Sequence, residues 1–417
     1  MSPSVHTALS TIKPGTIFVG VDLGRYRSTA IATTAQARRI GRHVFSHGRG
    51  GYETLAHYLG RWTQECQAPE AIVGMEPTNY YWKLVAEEME RIGQRYVLVN
   101  PYTVKKHREG DQLDRAKDDN RDALTIADLV RTGKFTQTTL LHGGYASLRE
   151  YGAIYDQTRT QIGRQRNQIR ARMDQLFPEL QGLYQGLGYT VRAIIRHHAA
   201  AARVRQMSWS EFLAGVQADA NGHRLQLGKV HEAYDLAKDS VSVTKGVDAL
   251  QFGVTASLER FELLEQQQKQ MREEMAGILL SLPEAPYVLS IPGVSPLMAA
   301  LLLGEIGDPS RYRSAKQLVK LAGVQPSPNE SGSRTTSPTE MSRKGRALLR
   351  ETLYFCCLHL IRMDEAFIYH YRRFQERPSN PLTKMQALGA LMNKLLRVLW
   401  ALMRQPAYYD PAKALAN

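Results

Sequence analysis

The stretch KDDNRDALTIADLV at residues 117–130 joins a cluster of acidic residues to a helical pattern of apolar ones. Apolar side chains at positions 123, 126, 127 and 130 have the three- and four-residue spacing of an amphipathic helix, which predicts a helix beginning near Asp119. Residues three apart share one face of a helix, so Asp119 and Asp122 point in one direction. Two carboxylates held this close repel each other unless they are solvated or share a cation.

Two interpretations fit this stretch taken alone. A hard divalent ion such as Mg²⁺ binds one or two protein carboxylates and completes its shell with water and phosphate oxygens. Acidic residues in a first helical turn also suit the positive end of the helix dipole without any ion. Asp111, Asp114 and Asp118 lie close by and are alternative candidates. The choice therefore depends on acidic residues elsewhere in the chain.

The segment before this stretch predicts a mixed β-sheet. Residues 16–34 form a predicted hairpin, and three further β-type runs follow at 44–46, 71–76 and 96–101. Helical patterns at 52–66 and 80–92 lie between these runs. Strands followed by alternating strands and helices indicate a mixed sheet covered by helices. Ligands of such sheets collect at the carboxyl ends of the strands, where Asp22 and Glu76 end two runs.

Four acids are therefore expected at one sheet edge: Asp22, Glu76, Asp119 and Asp122. Such a set would hold one or two Mg²⁺ or Mn²⁺ ions that bind phosphate oxygens and orient an attacking group. Each acid alone is better explained as a turn or surface residue, so the prediction depends on their convergence.

Composition restricts the partners. The 417 residues carry 54 Lys and Arg against 40 Asp and Glu, a formal charge of +14 that favours a polyphosphate partner or an anionic surface. No apolar run approaches the roughly 18 residues of a membrane span. The amino terminus shows no secretory signal, and three cysteines form neither a metal-type pair nor a disulfide framework, so a cytoplasmic location is expected, nucleoid-associated on DNA.

A family resemblance rests on four motifs: VGVD at 19–22, GMEPT at 74–78, VNP at 99–101 and KDDNRDA at 117–123. They resemble the DEDD-type transposases of the insertion sequence 110 family, relatives of the Piv DNA invertases. Their catalytic domain resembles the RuvC resolvase, which has an RNase H-like fold. The family pattern Lys-Thr-Asp-x-x-Asp-Ala falls on 117–123, with Asp118 where threonine is usual. The resemblance implies that Asp22, Glu76, Asp119 and Asp122 are the catalytic metal ligands.

A second motif region lies near the carboxyl end, where Ser331-Gly332 precedes a basic cluster. On the residues alone, Ser333, Ser337 and Ser342 are equal candidates for a reactive hydroxyl. The family carries a Ser-Gly motif followed by Lys-x-Gly and Leu-Arg, and this resemblance implies that Ser331 is a nucleophile that joins covalently to DNA. Basic residues are expected to hold nucleic-acid phosphates: Lys105, Lys106, Arg334, Arg343, Lys344, Arg346 and Arg350.

The middle of the chain has long helical patterns at 148–176 and 254–282, separated by an insert. They predict an antiparallel coiled-coil hairpin. An arginine stripe on the first helix fits a solvated spacer, a dimerisation arm or an RNA-contacting arm equally well. The predicted organisation is a disordered leader (1–15), a RuvC-like DEDD domain (16–140), a helical arm with its insert (141–285) and a mostly helical transposase domain (286–417).

The resulting hypothesis is a transposase that cleaves, exchanges and rejoins DNA strands through a phosphoserine intermediate. The resemblance further implies a bridge RNA that pairs with donor and target DNA, and a homodimer that assembles into a tetramer. The alternative is a metal-dependent, structure-specific endonuclease of the RuvC type that uses water. The roles of residues 183–250 and 364–417 are left open.

Overall fold

The structure is a computed structural model that describes residues 11–78, 80–110, 119–137, 140–184, 186–220, 222–327 and 340–416. The chain divides into two compact units, with the division between His142 and Gly143. Each unit has its own hydrophobic clusters.

The first unit is built on a six-stranded mixed sheet in the order β3-β2-β1-β4-β5-β6. Strands β1, β4 and β5 are parallel, β2 is antiparallel to both β1 and β3, and β6 is antiparallel to β5. The strands are β1 (Ile17–Asp22), β2 (Arg27–Thr33), β3 (Arg39–Ser46), β4 (Ala71–Met75), β5 (Tyr96–Leu98) and β6 (Thr136–Gln137). This arrangement confirms the predicted mixed sheet and agrees with an RNase H-like first domain.

Helices cover both faces of this sheet because the parallel strands are apolar on both sides. They are α1 (Arg49–Glu65), α2 (Tyr81–Arg91), α3 (Pro101–Gly110) and α4 (Asp119–Arg131). Odd-numbered side chains of β1 and β4, such as Val19 and Val73, pack with α1 and α2. Even-numbered ones, Phe18 and Ile72, pack with α3 and α4. The predicted helix at Asp119 is confirmed, and its residues 123, 126, 127 and 130 are all buried.

The polar and basic composition of residues 107–111 predicts a loop that orders on nucleic acid, but the structure continues α3 through residues 107–110. Tertiary contact explains the difference: His107 Nε2 lies 3.1 Å from Asp128 Oδ2 on α4. Thr11 belongs to the expected leader, yet its carbonyl accepts a 2.8 Å hydrogen bond from Arg95. Residues 1–10 of that leader lie outside the described residues.

The second unit is helical and begins with α5 (Gly143–Leu176), which packs antiparallel against α11 (Val247–Leu280). The direction follows from contacts along the pair, since Tyr155 accepts a 2.9 Å hydrogen bond from Arg272 and Arg172 lies 3.4 Å from Ser257. Both helices are 34 residues long and thus longer than predicted. Coiled-coil packing between them stays a prediction.

The insert between α5 and α11 folds onto them as a small helical cluster with its own apolar centre. Its helices are α6 (Glu179–Leu183), α7 (Tyr189–His198), α8 (Ala201–Val204), α9 (Trp209–Ala218) and α10 (Leu227–Asp239). Arginines of α7 pair with α11, as in the 2.8 Å contact between Arg196 and Glu262. The insert is therefore an integral part of the unit.

The remaining helices surround the largest hydrophobic cluster of the second unit. They are α12 (Ala285–Leu289), α13 (Pro296–Ile306), α14 (Ala315–Ala322), α15 (Ala347–Met363), α16 (Glu365–Glu376), α17 (Lys384–Arg404) and α18 (Pro411–Ala416), with a 3₁₀ turn at Pro309–Arg311. Strands β7 (Pro326–Ser327) and β8 (Glu340–Met341) pair between α14 and α15. Within the described ranges, no helix combines the length and apolar character needed to cross a membrane.

Candidate active site

The edge of the sheet is built from a pattern that β1 and β4 share, Val-Gly-x-acid. It reads VGVD at 19–22 and VGME at 73–76. The two strands are parallel neighbours in equal register, with Gly20 opposite Gly74 and Val21 opposite Met75. Asp22 ends β1 and Glu76 directly follows β4. Two of the four predicted acids therefore leave adjacent strands at one edge, as expected.

The two glycines allow α4 to lie directly on the sheet. A Cβ atom on Gly20 would be 1.9 Å from the carbonyl oxygen of Ala123 and 2.5 Å from the amide nitrogen of Ala127. A Cβ on Gly74 would be 2.3 Å from Cγ2 of Val130. Alternate strand residues share a face, so Gly20 and Asp22 both face α4. The same alternation, extended one residue past β4, places Glu76 on the side of Gly74.

The direction of α4 brings its acidic first turn to this edge. Phe18 lies two residues before Gly20 and belongs to the cluster formed with Ile126, Leu129 and Val130 of the later turns. Since Gly20 meets Ala123, the helix runs from the carboxyl end of β1 towards its amino end. Its first turn consequently lies on the side of Asp22. Asp122 in that turn is only 7% exposed.

The structure thus brings Asp22, Glu76 and the beginning of α4 to one edge of the sheet. Asp119 is the first residue of α4, and its side chain is outside the described part of the structure. Within the described residues, no three His, Cys, Asp or Glu side chains are arranged to hold a metal ion. The four predicted ligands are all carboxylates, which bind a hard divalent cation better than a soft one.

The predicted nucleophile Ser331 and the predicted phosphate ligand Arg334 lie outside the described residues, and the structure describes the chain on both sides of them. Strands β7 and β8 pair on either side of residues 328–339. Gly323, at a φ of +68°, ends α14, and its carbonyl accepts a 3.0 Å hydrogen bond from the amide of Arg343. A Cβ on Gly323 would be 2.8 Å from the amide nitrogen of Gly345. The two ends of the segment that contains Ser331 are therefore fastened together.

Comparison with known proteins matches two segments of the chain to transposase domains. Residues 19–178 match the DEDD transposase domain of the IS110 type, and residues 285–372 match the transposase domain of the IS116/IS110/IS902 family. The chain belongs to the IS110/IS116 family of transposases. It is thus an enzyme of the transposase and recombinase class whose partner is DNA.

Curated relatives agree with this assignment. A protein of insertion element IS110 from Streptomyces coelicolor is 24% identical over 71% of this chain and 72% of its own length. A protein of insertion element IS116 from Streptomyces clavuligerus is 24% identical over 95% of this chain and 96% of its own. A pilin gene-inverting protein of Moraxella bovis is 30% identical over 30% of this chain and 38% of its own.

The basic residues of the transposase fall into two groups. Arg343 and Lys344 are exposed beside β8, and Lys105 and Lys106 are exposed on α3. Arg350, in contrast, donates a 2.9 Å hydrogen bond to the carbonyl of Ala322. The exposed group is available to phosphates, whereas Arg350 already supports the end of α14.

Arg346 also has a protein partner, since it hydrogen-bonds the main-chain carbonyl of Glu305 and lies 3.9 Å from its carboxylate. Glu305 is buried, with 6% of the residue exposed, and its carboxylate accepts a 3.1 Å hydrogen bond from Arg149 on α5. Burial and the charge of Arg149 lower the pKa of Arg346 to about 10. Glu305 therefore links α5, α13 and the residues before α15, and contact with DNA by Arg346 stays a prediction.

Sequence reasoning missed His47, which follows β3 at the acidic edge. His47 Nε2 lies 2.9 Å from the carbonyl oxygen of Gly24 and Nδ1 lies 2.9 Å from the Tyr52 hydroxyl. The carbonyl oxygen of Gly24 can only accept, so Nε2 carries the proton of the neutral ring and Nδ1 accepts from the Tyr52 hydroxyl, whose pKa is raised to about 12 by burial and by the charges of Glu88 and Glu87. Nε2 then donates to Gly24, in the turn that follows Asp22. The position of His47 just past a strand end is the signal that was available.

Proposed function

We propose that this transposase cleaves and rejoins DNA strands with Ser331 as the nucleophile and a divalent metal ion, Mg²⁺ or Mn²⁺, held by Asp22, Glu76, Asp119 and Asp122. The observation that supports the acidic part is the close contact of α4 with Gly20. It sets the first turn of α4 at the edge where β1 and β4 deliver their acids. Carboxylates on rigid strands and a helix hold a fixed geometry better than carboxylates on loops.

The proposed reaction is a transesterification. The oxygen of Ser331 forms a bond to a DNA phosphorus, and the bond from that phosphorus to a deoxyribose oxygen breaks. The serine proton passes to a base, and the departing oxygen takes up a proton and leaves as a hydroxyl. A hydroxyl from another strand reverses these steps and frees the serine. The number of phosphodiester-type bonds is unchanged, so no external energy source is needed.

The chain supplies positioning and charge for this reaction. A serine hydroxyl is a weak nucleophile and needs activation. A bound divalent ion supplies Lewis-acid stabilisation of the charge that develops on the phosphate. The carboxylates of Asp22, Glu76, Asp119 and Asp122 would hold that ion, and exposed Arg343 and Lys344 would bind neighbouring phosphates.

The proposal extends to the partners. The formal charge of +14 supports backbone binding of donor and target DNA. A guide RNA that pairs with both DNAs is consistent with that charge and would supply sequence choice by base pairing. Exchange between two duplexes cuts four strands, and one serine per chain then requires four copies, which supports a dimer that assembles into a tetramer.

The second candidate function is a metal-dependent nuclease of the RuvC type that uses water. It is favoured by one observation, that the first unit contains all four acidic positions without help from Ser331. The two candidates differ in whether the cleaved strand becomes attached to protein.

The deciding experiment traps the attachment on a nicked, end-labelled suicide DNA carrying the element ends. The wild-type protein is expected to form an adduct that peptide mass mapping places on Ser331. Ser331→Ala should abolish both adduct and cleavage, and Ser342→Ala should retain them as the matched control. Cleavage by Ser331→Ala without any adduct would establish the nuclease and overturn the serine mechanism.

A further inference from the structure

Exposed large apolar side chains of the first unit collect at the acidic edge. In its described residues they are Tyr26, Tyr80, Leu84 and Tyr102, with exposures of 74%, 82%, 44% and 63%. Tyr26 follows β1, Tyr80 follows β4 and Tyr102 follows β5. The carboxyl ends of these adjacent parallel strands form one edge, which is also the edge of Asp22 and Glu76. Exposed aromatic residues concentrated in one place usually mark an interaction surface.

We propose that Tyr26, Tyr80 and Tyr102 form a stacking surface for unpaired bases of the DNA strand that is cut. The proposal rests on the proposed function, because it takes the acids at this edge to act on a phosphodiester. It goes beyond that function by specifying that the DNA strand is locally unpaired where it binds. Aromatic side chains bind single strands by stacking on base faces, which a closed duplex hides.

Positive charge is interleaved with these rings. The Arg25 guanidinium lies 5.2 Å from the centre of the Tyr26 ring, and the Lys106 ammonium lies 5.0 Å from that of Tyr102. Arg27 and Lys105 are also exposed beside them. A surface of cations and aromatic rings fits a single nucleic-acid strand, which offers both phosphates and base faces. An apolar protein partner would instead favour a patch depleted of lysine.

The rings are presented by braced segments. His47 binds the carbonyl of Gly24, two residues before Tyr26, and its ring stacks on Tyr81 at 4.4 Å and 21°. Tyr81 directly follows Tyr80, so one imidazole holds both segments. The amide of Tyr102 donates a 2.9 Å hydrogen bond to the Asn100 side chain at the start of α3. A surface fixed before binding loses less conformational entropy when a strand binds.

Binding of fluorescently labelled oligonucleotides to the full chain tests the proposal. Each of Tyr26→Ala, Tyr80→Ala and Tyr102→Ala should weaken single-stranded DNA binding by about fivefold to 150-fold, the range expected when one stacked base is lost. Tyr→Phe at the same positions keeps the ring and should stay within about twofold of wild type. Tyr369→Ala, which removes an exposed tyrosine of the second unit, is the control and should have no effect.

A duplex of the same sequence, and a single-stranded RNA, complete the design. Equal loss for duplex and single strand would overturn stacking on unpaired bases, and loss confined to RNA would overturn the assignment to DNA. Unchanged binding in the triple Tyr→Ala variant, with an intact thermal transition, would overturn the surface altogether.

A base analogue separates this proposal from the proposed function. 2-Aminopurine at successive positions of a DNA strand should be quenched by wild type and by the Tyr→Phe variants, and not by Tyr→Ala. This signal requires no cleavage. Quenching without any Ser331 adduct would therefore leave the stacking surface standing while the serine mechanism fails. A Ser331 adduct without tyrosine-dependent quenching would support the serine mechanism and overturn the stacking surface.

Discussion

Replacing Gly20 by alanine tests the contact that places α4 on the acidic edge. The added methyl would lie 1.9 Å from the Ala123 carbonyl oxygen, and contacts under 3.0 Å essentially do not occur, so strand and helix must separate by about 1 Å. The two nearest atoms, the Ala123 carbonyl oxygen and the Ala127 amide nitrogen, belong to the main chain and cannot rotate away. Overpacking usually costs about 1–3 kcal/mol, and we expect a loss near 3 kcal/mol in unfolding free energy. This corresponds to roughly 10 °C in the thermal midpoint.

The same displacement moves the first turn of α4 relative to Asp22. A misplacement of about 1 Å at reacting groups costs on the order of 100-fold in rate. Single-turnover cleavage of a labelled DNA and thermal unfolding measure the two effects. In Gly74→Ala the added methyl meets only side-chain atoms, those of Val130 and Ile126, and this variant should be milder in both effects.

Gly60→Ala is the matched control, because Gly60 is an exposed glycine of α1 with nothing near its would-be Cβ. It should leave cleavage unchanged and raise stability by up to ~1 kcal/mol. If Gly20→Ala matched Gly60→Ala in both stability and rate, the proposed packing of α4 on β1 would be refuted.

Three further predictions concern the second unit and the thiols. Glu305→Ala leaves Arg149 and Arg346, both partly exposed, without their buried partner, and it should lower the free energy of unfolding by about 1–3 kcal/mol in denaturant titrations. The control Glu65→Ala removes an exposed partner of Arg61 and should change that free energy by less than about 0.5 kcal/mol. Burial raises the pKa of the Cys356 thiol to about 12, so a thiol reagent at pH 8 should label Cys66 rapidly and the buried thiols only in denaturant; rapid labelling of all three cysteines in native protein would contradict this packing. Burial also lowers the pKa of His198 below 6.5, so the unfolded chain binds a proton first as the pH falls, and stability should drop between pH 7 and pH 5 with a smaller drop in His198→Gln; an equal drop in both would exclude His198 as a source.

The sheet and the placement of two acids followed from the sequence because local signals were strong. β-Type apolar runs end in Asp22 and Glu76, and strand polarity then sends both to one edge. The family resemblance supplied what spacing left open, since it selected Asp119 and Asp122 among nearby acids. The shared Val-Gly-x-acid pattern could also have predicted the close approach of α4.

Other features depended on contacts that are distant in sequence. Residues 107–110 look polar, yet the contact of His107 with Asp128 keeps them helical. Arg346 and Arg350 belong to a basic cluster in sequence, and only the fold reveals their carbonyl partners on Glu305 and Ala322. The apolar cluster of the insert could not be predicted from the sequence, because it forms only where the insert packs against α5 and α11.

We propose that Asp22, Glu76, Asp119 and Asp122 form one divalent metal site at the carboxyl ends of β1 and β4. Iron-directed cleavage tests it most directly, because Fe²⁺ in place of Mg²⁺ generates radicals that cut the chain beside the ion. We expect ascorbate-dependent cuts near residues 22, 76 and 119–122 that excess Mg²⁺ suppresses and Asp122→Asn abolishes. Cuts elsewhere, or a pattern indifferent to Asp122→Asn and to Mg²⁺, would contradict it.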